Sequence, residues 1–295
     1  MLKLRGPAEA GHYGSPIRVA VLCSHRAPGL VHLLSHSADR GRAFEIVCVV
    51  TTEATPVDDV RRGIPTLTHP IREFYEARGA SLYNDFDARR AYDAETLKLI
   101  TPYLPELILL DGYLYLITEP LLEAFANRIL NLHYSDLTLR AGDGRPQFPG
   151  VRAVRDAIAA GCVETRATVH LVDALPDDGA PIVRSWPFPV SPLVQELQSM
   201  DAGDAFKAYT FAHQQWMMRT ASGPLMSAAL KLVATGAVDL DELARVDPRD
   251  SMPWLLERHG FLLAPEAGRM GQVGRVGQVG EVGQVGKAME MVEAK

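Results

Sequence analysis

The chain has 295 residues, of which 47% are hydrophobic, and its formal net charge is −6. This length and composition suit one sizeable folded core, with or without a small appendage. Lysine and arginine are scattered and form no basic stripe, so the charge argues against nucleic-acid binding and favours a small-molecule substrate.

The first half of the chain alternates strand-like and helix-like segments. Residues 1–16 carry Gly, Pro and Ser without a period and predict a flexible N-terminus. The predicted strands are apolar runs at Ile17–Cys23, Phe44–Val50, Val60–Thr68, Leu107–Leu110 and Ile129–His133. Helical patterns lie at Leu30–Ser37, Ile71–Arg78, 87–104 and from Thr118 onward. Uninterrupted hydrophobicity is typical of parallel strands covered on both faces, so we predict a doubly wound, Rossmann-like α/β sheet.

The second half changes pattern. A helix is predicted at Val151–Ala160, and the strands predicted at Ala167–Val172 and Pro181–Val190 flank a turn at 175–181, which makes the sheet mixed. Long helical patterns follow at Ser191–Met200 and Ala205–Thr235, and a weaker one covers Asp239–Gly260. Glycine then recurs at every third residue from 271 to 286. We therefore expect a main domain at 17–236, a helical extension at 237–266 and a low-complexity tail at 267–295.

The three cysteines bear on the cellular compartment. Cys23, Cys48 and Cys162 are odd in number and have no zinc-site spacing. The N-terminus has no apolar leader, and no apolar run reaches about 18 residues. These features predict a cytoplasmic protein without a disulfide framework or a membrane segment.

Asn131 and His133 are the first candidates for chemistry. They enter an apolar run two residues apart, so in a strand their side chains point to the same side. An amide donor beside an imidazole suits a carbonyl oxygen that becomes an oxyanion while a proton moves. The alternative is a buried strand with two hydrogen-bonded polar residues, which the two residues alone leave open.

Four segments together resemble one family, and they occur in that family's order. They read AYDAETLKLITPYLPELILLDGY, ILNLHYSDL, FPGVRAVRDAIAAG and ATVHLVDALPDDGAPIV. Residues 17–236 thereby resemble the formyltetrahydrofolate-dependent formyltransferases, most closely the members that formylate glycinamide ribonucleotide in purine biosynthesis. The resemblance implies the formyltransferase fold and an N10-formyltetrahydrofolate co-substrate.

The resemblance also implies catalytic roles at matching positions. Asn131 and His133 match the family's catalytic amide and imidazole, and Asp178 matches its carboxylate because it precedes Gly179 in an Asp-Gly-x-Pro sequence. A slip of one place would put Asp177 there instead. The amide and a protonated imidazole would hold the oxyanion, and the carboxylate would keep the imidazole cationic and move a proton through a water. No metal is expected, because these donors already supply the charge stabilisation.

Family precedent places the folate against the strand ends and the Asp-Gly turn. The residues of this chain expected to line that site are Leu109, Tyr113, Leu114, Leu116, Ile117, Val172, Asp177 and Gly179. An apolar run after a strand is also compatible with ordinary core packing.

The acceptor side departs from the family. The loop from Ser24 to Gly29 lacks the Gly-, Ser- and Asn-rich turn that holds a ribose phosphate, although Ser24, Arg26 and Gly29 are candidate contacts, with the Arg26 guanidinium as a phosphate clasp. Tyr134 and Thr138 replace the family's usual prolines, residues 140–146 lengthen the next loop, and Tyr115 stands where an arginine is usual.

Three functions remain open from the sequence. The first is formyl transfer to glycinamide ribonucleotide, and the second is formyl transfer to another small amine, such as an amino sugar or a biosynthetic intermediate. The third is a non-catalytic folate- or nucleotide-binding homologue. A homodimer is compatible with each of them.

Overall fold

The computed structural model describes residues 15–24, 26–37, 42–53, 63–82, 84–200 and 202–265. Most of the predicted flexible N-terminus, the first part of the predicted strand at 60–68 and the whole glycine-repeat tail lie outside these ranges.

The first half of the chain contains five strands and four helices among the described residues. They are β1 (Ile17–Cys23), α1 (Leu30–Ser37), β2 (Phe44–Thr51), β3 (Thr66–Thr68), α2 (Ile71–Glu76), α3 (Phe86–Ile100), β4 (Leu107–Leu110), α4 (Glu119–Ala124) and β5 (Ile129–His133). The Asp85 side chain accepts from Ala88 N at 2.9 Å and caps α3, two residues before the position where the sequence places the start of that helix.

The second half supplies the remaining elements. They are α5 (Ala153–Ala159), β6 (Glu164–Thr165), β7 (Thr168–Leu171), β8 (Pro181–Arg184), β9 (Phe188–Pro189), α6 (Leu193–Ser199), α7 (Gly203–Ala234), α8 (Leu240–Leu243), β10 (Trp254–Leu256) and β11 (Leu262–Leu263). None of the helices in the described part of the chain combines the length and apolar composition needed to cross a membrane.

Nine strands form the main sheet, in the order β11-β10-β8-β7-β5-β4-β1-β2-β3. Strands β3, β2, β1, β4 and β5 are mutually parallel, whereas β7 is antiparallel to both of its neighbours. The predicted class, a mostly parallel mixed α/β sheet, is confirmed. The C-terminal extension contains the short helix α8, and it also contains β10 and β11, two strands that the sequence did not predict.

Successive residues of the central strands pack into two different hydrophobic clusters. In β1, Val19 and Val21 belong to the cluster that includes α1 and α7, while Ala20 and Leu22 belong to the cluster that includes Ile100 and Leu121. Helices therefore cover both faces, which explains the uninterrupted hydrophobicity of these strands. In β5, Leu130 and Leu132 join the first cluster and Ile129 joins the second. Asn131 and His133 follow Ile129 at two-residue spacing, so they lie on the second face.

Candidate active site

Asn131 sits between two strands. It is level with Leu110, the last residue of β4, and directly opposite His170 in β7. Its amide Nδ2 donates to His170 Nε2 at 3.1 Å. The strand register therefore fixes the amide at the point where the loop after β4 begins.

His170 is a buried, neutral partner for that amide. Its Nδ1 donates to the Leu171 carbonyl at 2.8 Å, which leaves Nε2 as the acceptor for Asn131. Burial lowers the pKa of His170 from 6.5 to about 4, against the opposing pull of Asp177. The ring is consequently uncharged at neutral pH and orients the amide by accepting one of its two N–H groups.

His133 ends β5 and is 8% exposed. Its Nε2 lies 3.1 Å from the Phe148 carbonyl oxygen, and its Nδ1 lies 3.4 Å from Asp177 Oδ1. Each ring nitrogen faces an acceptor, so an imidazolium would find an acceptor for both of its N–H groups. The N–H that faces the Phe148 carbonyl could donate to an oxygen that gains negative charge if that carbonyl moved away.

The carboxylate beside His133 belongs to Asp177, whereas the spacing argument had favoured Asp178. Asp177 also accepts from Gly150 N at 2.7 Å, and its Oδ1 lies 3.8 Å from His170 Nε2. Asp178 instead forms an ion pair with Arg140. Asp177 has φ +57°, which directs neighbouring side chains of this turn to different partners. The structure therefore places Asp177, the one-place alternative in the sequence, beside His133.

The turn at 173–180 returns close to the strand that precedes it. A Cβ atom at Gly179 would lie 1.9 Å from the Leu171 carbonyl oxygen, so only glycine allows this approach. Gly179 thus permits the return of the turn.

The residues expected to line the folate site divide by exposure. Leu114 and Leu116 are 58% and 46% exposed and present apolar surface in the loop that starts beside Asn131. Leu109 is fully buried in the sheet, and Ile117 is 9% exposed in the same cluster that Tyr113 and Val172 contact. Leu114 and Leu116 are therefore the most exposed apolar side chains of this set, Tyr113 and Val172 are half-buried, and Leu109 packs in the cluster on the other face of the sheet.

The predicted phosphate loop is largely committed to other contacts. Ser24 Oγ accepts from Leu114 N at 3.0 Å, and Gly29 N donates to both carboxylate oxygens of Asp111, at 2.9 and 3.2 Å. Arg26 is exposed and donates to Gln215 at 3.1 Å. The N–H of Gly29, just before α1, thus already has the Asp111 carboxyl group as its acceptor, and among the described residues of this loop the Arg26 side chain is exposed.

Asp111 is fully buried, and burial raises its pKa to about 7. The folded state therefore holds this proton more tightly than the unfolded state, whose pKa is near 3.8, and stability decreases as pH rises from about 4 to about 7. We expect Asp111→Asn to lose less stability than the parent between pH 5 and pH 8, by up to about 1.4 kcal/mol per pH unit. Urea unfolding at both pH values measures this difference. Equal pH dependence of the two proteins would contradict it.

Four residues of the site were not predicted from the sequence. His170, Asp111, Arg140 and Arg89 act as partners of Asn131, Gly29, Asp178 and Tyr113 respectively. Their pairings join residues 24 to 82 positions apart in the chain, which local patterns do not reveal. Within the described residues, no group of three or more His, Cys, Asp and Glu side chains is arranged to hold a metal ion.

The fold and the site together define an α/β protein with an amide, an imidazole and a carboxylate gathered at the end of a central strand. Residues 17–203 match the family model described as formyl transferase. The chain belongs to this family.

Named relatives point to one branch of the family. The trifunctional purine biosynthetic protein adenosine-3 of Drosophila pseudoobscura pseudoobscura is 30% identical over 173 residues, which is 57% of this chain and 11% of the relative. The phosphoribosylglycinamide formyltransferase of Escherichia coli (strain K12) is 34% identical over 106 residues, 36% of this chain and 45% of the relative. Each match thus spans less than half of the relative's length.

A solved structure matches over a longer range. The glycinamide ribonucleotide transformylase 1 of Symbiobacterium toebii is 27% identical, with a TM-score of 0.56, and the match covers 76% of this chain and 90% of that one. This likeness supports the formyltransferase fold for this chain.

Proposed function

We propose that this protein transfers the formyl group of N10-formyltetrahydrofolate to a small-molecule amine. The observation that carries the proposal is the convergence of Asn131, His133 and Asp177, from β5 and from the turn after β7. The names of the relatives make glycinamide ribonucleotide the leading acceptor. An amino sugar or another biosynthetic amine is the alternative. Ser24 Oγ accepts from Leu114 N and Gly29 N donates to Asp111, so these two groups already have internal partners that a phosphate would have to replace.

In the proposed reaction, the acceptor nitrogen attacks the formyl carbon and a tetrahedral intermediate forms. The Asn131 amide retains one N–H beyond the bond to His170, and this N–H would donate to the developing oxyanion. His133 would donate the N–H that the Phe148 carbonyl now accepts, so the segment around Phe148 has to shift when the folate binds.

Proton movement completes the transfer. The bond between the formyl carbon and folate N10 breaks as the new carbon–nitrogen bond is kept, and one proton passes from the acceptor amine to N10. Asp177, held by Gly150 N and His133, is the carboxylate placed to relay this proton through a water. Leu114 and Leu116 supply the apolar surface for the pterin in this scheme.

The test is a panel of acceptors that contains glycinamide ribonucleotide, an amino sugar and the phosphate ester of that amino sugar. Each reaction is monitored by folate absorbance, and a reaction without acceptor gives the baseline. Asn131→Ala should lower kcat by about 100-fold or more, because the loss of one oxyanion donor costs about 2.7 to 4 kcal/mol of barrier. Asn84→Ala, an exposed asparagine at the start of α3, is the matched control and should leave kcat unchanged.

Other outcomes decide between the alternatives. Turnover in the acceptor-free reaction would indicate hydrolysis, and folate binding without turnover for any amine would support the non-catalytic homologue. A cytoplasmic location and a homodimer stay proposals; the odd cysteine count supports the first, and a measurement of molar mass in solution tests the second.

A further inference from the structure

The loop that lengthens this chain after β5 forms a small hairpin. Arg140 pairs with Pro146, Ala141 N donates to Arg145 O at 2.8 Å, and Gln147 N donates to Leu139 O at 3.0 Å. We call residues 139–147 the active-site hairpin. The segment that leaves it contacts both catalytic partners, because Phe148 O accepts from His133 and Gly150 N donates to Asp177.

The Arg140 side chain anchors the base of this hairpin to two other parts of the chain. Its Nη1 donates to Asp178 Oδ1, and its Nη2 donates to the Pro248 carbonyl at 3.3 Å. The Arg140 and Asp178 side chains are only 12% and 21% exposed, so the ion pair is largely shielded from water. A shielded pair of this kind constrains geometry more strongly than an exposed one.

Asp178 directly follows Asp177 in the chain, so the contact that fixes the Asp178 carboxylate also restricts the backbone that carries the Asp177 carboxylate. Asp177 adopts φ +57° and is otherwise held by Gly150 N and His133. Loss of the ion pair with Arg140 would free the turn at Asp178, the residue after Asp177. The Asp177 carboxylate could then move away from the His133 imidazole.

We propose that Arg140 is a positioning residue for the formyl-transfer reaction, which acts through Asp178 to hold Asp177 against His133. The inference rests on the proposed function. It also gives a role to the segment around Pro248, which lies beyond residue 203, where the family match ends. The C-terminal extension thereby contributes a backbone acceptor to the support of the active site.

The experiment compares Arg140→Met, Arg140→Lys, Asp178→Asn and the double variant Arg140→Met/Asp178→Asn. Arg140→Met should lower kcat by roughly ten- to a hundredfold with little change in the folate KM, since misplacement of about 1 Å can cost 100-fold. Asp178→Asn should fall in the same range, and the double variant should lose no more than either single variant because both remove one interaction. Arg140→Lys, which restores a charge that can reach Asp178, should recover part of kcat.

Arg145→Met is the matched control, because Arg145 is exposed on the same hairpin and carries the same charge. It should keep the parental kcat. Wild-type kcat in Arg140→Met, or full additivity in the double variant, would overturn the role of Arg140.

A structural measurement separates this inference from the proposed function. A crystal structure of Arg140→Met should show the 3.4 Å approach of Asp177 Oδ1 to His133 Nδ1 lost or lengthened, whether or not any amine is formylated. An unchanged approach would overturn the positioning role. Absence of transfer by the wild type would count against the proposed function alone.

Discussion

Asp177→Asn is expected to lower kcat by about 100- to 10,000-fold, the range typical for loss of a positioned acid–base group. The substitution keeps the size of the side chain, and its amide oxygen can still accept from Gly150 N. It removes the negative charge that faces His133 Nδ1 at 3.4 Å and the proton relay that the proposed mechanism needs. Asp178→Asn should retain at least about ten times more activity, because Asp178 contacts Arg140 and lies outside the reacting group.

The measurement is steady-state kinetics of both variants with the best acceptor of the panel, at several pH values. Asp173→Asn is the control within the same turn, since Asp173 is exposed and its side chain accepts a local N–H from Leu175 at 2.9 Å. A larger loss in Asp178→Asn than in Asp177→Asn would restore the assignment that follows from the Asp-Gly-x-Pro spacing.

This pair of aspartates shows where sequence reasoning reaches its limit. The Asp-Gly-x-Pro spacing points to Asp178. In the structure, Asp177 has a positive φ and its own carboxylate lies beside His133. A backbone conformation of this kind depends on contacts with Gly150 and Arg140, which come from a loop 27 to 38 residues earlier in the chain. Local sequence can therefore narrow the carboxylate to two positions without choosing between them.

Asn131 and His133 were accessible from sequence because their placement follows from a local rule. Two-residue spacing puts them on one face of a strand, and an apolar run followed by a polar loop places them at its carboxyl end. His170 was not accessible, because its role requires knowing that β7 pairs antiparallel with β5 in a register that sets it opposite Asn131. The strands β10 and β11 were missed for a related reason: they have only three and two residues and depend on the edge that β8 offers.

Asp111 illustrates how one buried side chain can change what a neighbouring helix start is able to bind. An aspartate directly after β4 looks like an ordinary turn residue in the sequence, and its carboxylate instead satisfies Gly29 N at the start of α1. A phosphate at that helix end would meet a buried acidic group, so a phosphorylated acceptor has to rely on side chains such as Arg26. The acceptor panel with and without phosphate tests this consequence directly.

The second large effect is expected in stability, at a buried ion pair of α3. The Arg89 and Asp93 side chains are 6% and 0% exposed and contact each other one helical turn apart. Arg89 Nη2 also donates to Tyr113 OH at 2.7 Å, and Asp93 Oδ2 accepts from Thr118 N and Oγ1 at 2.7 and 2.6 Å. The pair thus holds both ends of the loop that carries Leu114 and Leu116.

Asp93→Ala is expected to lower the free energy of unfolding by about 3 to 5 kcal/mol, because it leaves the Arg89 charge buried without its partner. Burial raises the pKa of Asp93 despite the neighbouring guanidinium, which shows how far this carboxyl is removed from water. Arg89→Met should be similarly costly, and the double variant Arg89→Met/Asp93→Ala should lose less than the sum of the two, since no unpaired charge remains. Urea unfolding of the four proteins completes the cycle.

Glu95→Ala provides the comparison on the same helix, because Glu95 pairs with Lys98 at 2.8 Å, with the two side chains 46% and 69% exposed, and this pair should contribute little. The folate KM connects the stability effect to the site. If the pair holds the loop from Tyr113 to Thr118 in place, an Asp93 variant that still folds should show a raised folate KM with a smaller change in kcat. Additive losses in the cycle would contradict the ion-pair account, and an unchanged folate KM would show that the loop keeps its position without Asp93.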